Sequence, residues 1–94
     1  MLTIQRHDDG KKGFVEALEG TTPAGKMTFT WAGETKLIID HTEVGTDFGG
    51  KGVGKKMLMN LVEYAREKGV KILPLCPFAA AMFKKDASIA DVLF

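Results

Sequence analysis

Leu2, Ile4 and Arg6 open a run of period two, and the polar stretch Asp8-Asp9-Gly10-Lys11-Lys12-Gly13 breaks it with glycines suited to positive φ. Phe14 to Glu19 predicts a second strand, and Thr22-Pro23-Ala24-Gly25 a turn behind it. Met27, Phe29 and Trp31 then alternate with Lys26, Thr28 and Thr30, which predicts a strand with one face in the core. Gly33-Glu34 makes a tight connection into Lys36 to Val44, where consecutive Leu37, Ile38 and Ile39 predict a strand buried on both faces. The first half of the chain is therefore expected to be an antiparallel β meander.

Beyond Gly49-Gly50-Lys51-Gly52-Val53-Gly54-Lys55-Lys56 the period becomes helical, with Met57, Leu58, Leu61, Val62 and Ala65 forming an apolar stripe. Arg66 and Lys68 suit the end of that helix and Gly69 its stop. Val70 to Leu75 predicts a short strand that Cys76 ends, and Pro77 the first residue of a helix reaching about Lys85. Strand, helix, strand implies a parallel crossover. Ser88 is a cap candidate for one more short helix carrying Ile89, Val92 and Leu93. The expected class is α/β (α+β): a β meander, a β-α-β crossover and short C-terminal helices.

Composition narrows the function. With 94 residues, 45% of them hydrophobic, the chain is expected to fold as one domain over residues 1–94. Thirteen basic against twelve acidic residues give a net charge of +1, which supports neither a nucleic-acid nor a membrane partner. No run approaches the roughly 18 apolar residues of a membrane span, and Met1 to Arg6 lacks the regions of a signal peptide, so the expected location is cytoplasmic. The single cysteine, Cys76, allows no internal disulfide and no multi-cysteine zinc site, and no metal is expected.

The glycine- and lysine-rich octet stands where a strand turns into a helix, a place for a phosphate to meet backbone N–H groups and the positive end of a helix dipole. The P-loop spacing is met by Gly49, Gly54 and Lys55, but Lys56 replaces the hydroxyl that would ligate magnesium. Dinucleotide spacing fails because Lys55 or Met57 stands where a third glycine is needed.

A third pattern fits. Gly49-Gly50-Lys51-Gly52-Val53-Gly54 resembles the Gln/Arg-x-x-Gly-x-Gly/Ala motif of the GNAT superfamily of N-acetyltransferases, with Gly49 in place of Gln or Arg. Cys76-Pro77-Phe78-Ala79-Ala80-Ala81-Met82-Phe83 is similar to a second family block, Asn-x-x-Ala-x-x-x-Tyr, with Cys76 and Phe83 as departures. Together with His41-Thr42-Glu43-Val44, these motifs resemble a compact GNAT-like subfamily of about this length, over roughly Lys36 to Lys85.

The resemblance implies a GNAT-like fold with splayed fourth and fifth strands. It implies acetyl-CoA as co-substrate, held through its pyrophosphate by Gly49, Gly50, Lys51, Gly52, Val53, Gly54 and Lys55, and through its pantetheine arm near Val44. Lys51 and Lys55 would supply charge; Lys84 and Lys85 are expected to be a solvated helix end, with an approach to the 3′-phosphate as the alternative. It further implies that His41 and Cys76 are the catalytic candidates and that the thioester lies between them. Phe83 replaces the family tyrosine that protonates the leaving thiolate, and Tyr64, in mid-helix, is no substitute. Alternation puts His41 and Glu43 on one face of the fourth strand.

Two routes follow. Either His41 or Glu43 takes a proton from an amine that attacks the thioester, or Cys76 attacks first and passes the acetyl group on. The expected function is acetyl transfer to an unidentified amine, docked on an open cleft of a monomer or on a homodimer partner. The alternatives are a non-catalytic CoA-binding or protein-interaction module, and a bare phosphate-binding domain for another nucleotide.

Overall fold

The computed structural model describes residues 2–94. Its strands are β1 (Leu2–Asp8), β2 (Lys12–Glu19), β3 (Thr22–Ala32), β4 (Lys36–Val44) and β5 (Lys71–Pro74), with helices α1 (Val53–Lys68) and α2 (Pro77–Lys85). Short 3-10 turns occupy Thr46–Phe48 and Ala87–Val92. The strands form one sheet in sequence order, antiparallel from β1 to β4 and parallel between β4 and β5, so α1 is the crossover the pattern predicts.

The α1 stripe packs its Met57, Leu58, Leu61, Val62 and Ala65 onto Val15, Met27, Phe29, Leu37 and Ile39 of the sheet, all fully buried or nearly so. Burying each large apolar side chain contributes about 1.5–3 kcal/mol. Gly69, at φ 68°, ends α1 with its N–H on the carbonyls of Ala65 and Arg66. Gly25 lets α1 lie this close. A Cβ on it would come within 2.9 Å of the Glu43 carbonyl oxygen and 3.0 Å of both Val53 Cγ1 and Met57 Cε.

Four expectations are corrected. The turn after β2 is at Gly20-Thr21, with Gly20 at φ 64°, and Thr22–Gly25 belongs to β3. The sheet absorbs Pro23 and Ala24 there because the register slips between Ala17 and Leu18, which face Gly25 and Pro23. Ile38 is only half-buried, since helices cover the Leu37 and Ile39 side of β4 alone. The last strand ends at Pro74, leaving Leu75 exposed and Cys76 as the N-cap of α2. Asp86, and not Ser88, caps the C-terminal turn by accepting from the Ser88 N–H at 2.9 Å.

Candidate functional site

β4 outruns β5. The parallel ladder ends at Ile39 opposite Pro74, after which the N–H groups of Leu75 and Cys76 both donate to the Ile39 carbonyl, at 3.0 and 3.2 Å. Residues 40–44 keep β3 on one side and have no strand on the other, so the sheet opens into a cleft at the carboxyl end of β5.

One end of this cleft is the glycine-rich turn. Gly50 and Gly52 hold φ of 79° and 72°, which a side chain tolerates poorly, and they swing the chain from the Thr46–Phe48 turn into α1. No side chain caps α1, and the first amide bonded back to the turn is that of Lys56, on the Gly52 carbonyl at 3.0 Å. The N–H groups of Val53, Gly54 and Lys55 therefore lack intrahelical acceptors.

Val44, Gly49, Gly50, Gly52, Val53, Gly54 and Lys55 line a groove of about 620 Å³ with Phe48, Phe78, Met82, Lys85 and Asp86. Every expected pyrophosphate residue thus borders it except Lys51, whose ammonium group stands 5.5 Å over the Phe48 ring. Lys85 reaches the groove and Lys84 does not border it. The side-chain hydroxyl and backbone N–H of Ser88 hold the Asp86 carboxyl below its ordinary range, and Lys55 adds to this. Gly54 has a role the motif does not reveal. A Cβ there would lie 2.6 Å from Phe78 Cζ, so this glycine seats α2 against α1.

The catalytic candidates part company at β4. A bulge between Thr28 and Phe29 sets Thr28 opposite His41 and Phe29 opposite Ile39, leaving Asp40 as the extra residue. His41 and Glu43 pair with Thr28 and Lys26 on the open face of the sheet, away from α1, and both are exposed. Thr42 pairs with Met27 on the core side and meets Cys76, Oγ1 to Sγ at 3.1 Å. Cys76 is 3% exposed and its sulfur also accepts from the Ala79 N–H at 3.4 Å. Thr42, and not His41, is therefore the neighbour of the sulfur: strict alternation from Leu37 and Ile39 would put His41 on the core side, and the extra residue Asp40 reverses it.

Phe83 is buried in the core. Tyr64 is committed elsewhere: its hydroxyl donates to Asp8 Oδ2 at 2.7 Å, beside Trp31 Nε1 on the same carboxylate. Burial and this bond push the Tyr64 hydroxyl up to about 12. Burial also pushes Asp8 upward, but the bonds from Tyr64, the Gly10 N–H and Trp31 prevail and lower it. Among the described residues no group of His, Cys, Asp and Glu is arranged to hold a metal, and no helix is long and apolar enough to cross a membrane.

A mixed sheet that splits beside an uncapped helix start defines the class of α/β domain, and sequence comparison gives its family. Residues 13–92 match the family described as GCN5-related N-acetyl-transferase, so the chain belongs to the GCN5-related N-acetyltransferases and is an acetyltransferase by class. The chain is 33% identical to a GCN5-like protein from Staphylococcus aureus known from its solution structure, over 96% of this chain and 87% of that one, with a TM-score of 0.72. At 21% identity it shares the fold of a ribosomal-protein-alanine N-acetyltransferase from Brucella melitensis, with a TM-score of 0.70, over 82% of this chain and 62% of that one. At 15% identity it shares that of a GNAT family acetyltransferase from Elizabethkingia anophelis with acetyl-CoA bound, with a TM-score of 0.66, over 78% and 63%. No curated protein sequence matches the chain.

Proposed function

We propose that this protein binds acetyl-CoA in the groove beside α1 and transfers its acetyl group to an amine in the cytoplasm. The observation that carries the reading is the set of acceptor-free amides at Val53, Gly54 and Lys55, presented behind two positive-φ glycines next to the cleft where β4 leaves β5. The pyrophosphate lies on those amides, Lys55 and Lys85 supply charge, and the pantetheine arm runs past Val44 toward the gap.

The amine approaches from the open face, where His41 is exposed. An imidazole nitrogen of His41 takes one proton from the ammonium group, and the freed amine attacks the thioester carbonyl. The C–N bond forms, the C–S bond breaks, and the second amine proton goes to the departing CoA thiolate. The imidazolium proton passes to solvent.

A second reading is favoured by the α2 cap, where the Ala79 N–H points at the Cys76 sulfur. A Cys76 thiolate would attack the thioester first, releasing CoA thiolate and holding the acetyl group until an amine removes it.

Calorimetry with CoA tests the binding site. Gly52→Asp and Gly52→Asn impose similar bulk on the same left-handed position, and open space surrounds a Cβ there. The aspartate variant is expected to bind at least about tenfold more weakly than the asparagine variant, because only it places a negative charge among the amides. Equal affinities would mean that the octet is a turn and nothing more.

A further inference from the structure

Beside His41 the bulge does something that a regular strand cannot: it turns two consecutive residues, Asp40 and His41, toward the same open face. Asp40 is identified there by its bond, since its Oδ2 accepts from the Thr30 hydroxyl at 2.6 Å and Thr30 lies on the side opposite Phe29 and Trp31. That bond fixes the carboxylate. Among the described residues its Oδ1 has no hydrogen-bond partner, and no Lys or Arg pairs with Asp40. Lys26, which borders the same depression, holds its ammonium group over the Phe14 ring at 4.3 Å instead.

The depression has a volume of about 730 Å³ and is bordered by Asp40, Thr28, Thr30, Phe14, Lys26 and His7, with Asp8, Asp9 and Lys12 at its far end and His41, the next residue of β4, outside its lining. It offers a fixed, half-buried carboxylate at one point and an aromatic pair at another, where the Phe14 ring stacks on His7 at 4.5 Å and carries the Lys26 ammonium group at 4.3 Å. An amine acceptor arrives in water as a cation and must be held before it is deprotonated.

We propose that Asp40 is the ammonium-binding residue of the acceptor site and that the acceptor is a small primary amine with an aromatic or apolar stem lying along Phe14. Asp40 receives the R–NH3+ group next to His41, which removes its proton; Asp40 keeps its charge throughout. This rests on His41 being the base of the acetyl transfer.

Two-dimensional NMR of the whole chain with phenethylamine as probe tests the site without acetyl-CoA. At neutral pH the ammonium form is expected to shift the amides of Thr28, Thr30 and Asp40, while 2-phenylethanol, which lacks the charge, shifts them little. Asp40→Asn is expected to weaken phenethylamine binding roughly tenfold, and Thr30→Val, which keeps the carboxylate, far less. In turnover assays with phenethylamine, Asp40→Asn raises KM and leaves kcat within about threefold, because His41 and the thioester are untouched. Equal shifts from amine and alcohol, or full affinity in a folded Asp40→Asn protein, would overturn the assignment. Failure of CoA to bind would instead strike the function proposed above and leave the amine titration readable.

Discussion

The two sides of β4 carry the same kind of chemistry in opposite physical settings. On the core side, Thr42 and Cys76 touch at 3.1 Å, the sulfur is 3% exposed, and an α2 amide is bonded to it. On the open side, Asp40 and His41 stand next to one another, one tethered by Thr30 and the other free in solvent among the described residues. The contrast teaches that a polar residue's place on the strand decides what it can do. A buried sulfur held by hydrogen bonds is suited to a fixed role, whereas an exposed imidazole can meet an incoming acceptor and exchange its proton with water.

Removing the base separates the sides most sharply. His41→Gln is expected to lower kcat for amine acetylation by about a hundredfold or more while the affinity for CoA stays unchanged in calorimetry, since His41 does not border the groove. If kcat is retained, the base is elsewhere, with Glu43 next on that face.

Intact mass spectrometry after incubation with acetyl-CoA probes the core side. Direct transfer predicts no acetyl adduct on the wild-type chain, and Cys76→Ala that keeps turnover within about tenfold while losing roughly 1 kcal/mol of stability with its cap. An adduct present in wild type and absent in Cys76→Ala, with turnover lost, would move the chemistry to the sulfur.

The smallest effect belongs to Tyr64, which borders neither the groove nor the open-face depression. Its raised value means that the bond to Asp8 contributes stability fully present below pH 10.0 and lost as pH climbs toward about 12. Asp8 is lowered, so its contribution is present above its ordinary value of 3.8 and lost as pH falls below it. Tyr64→Phe should therefore flatten the alkaline limb of a stability curve between those two values, by about 1 kcal/mol at most in this accessible setting, and leave turnover unchanged. A collapse of turnover would make Tyr64 the missing acid.

Much of this was legible in the residue pattern because the signals are local. The α1 stripe, the Gly69 stop, the Pro77 start of α2 and the core face of β3 each follow from periodicity and backbone preference within a few residues. So did the groove, whose glycines were marked by their spacing. Thr22–Gly25 misled because its residues favour turns, yet Gly20 and Thr21 closed the hairpin first and a register slip accommodated Pro23. Phe48, Phe78, Met82 and Asp86 were not singled out for the groove, being ordinary residues brought there by packing. The one faint signal was Phe78, two residues past the α2 cap and able to reach α1 only across a glycine.

The sequence by itself determined the order of elements, the glycine-rich turn before α1 and the family, since these depend on short-range pattern and backbone freedom. Only the tertiary structure decided which side of the sheet each reactive group occupies. A single bulged residue, Asp40, resets the alternation of β4, and its position depends on the pairing of β4 with β3, a contact between segments that no local pattern encodes.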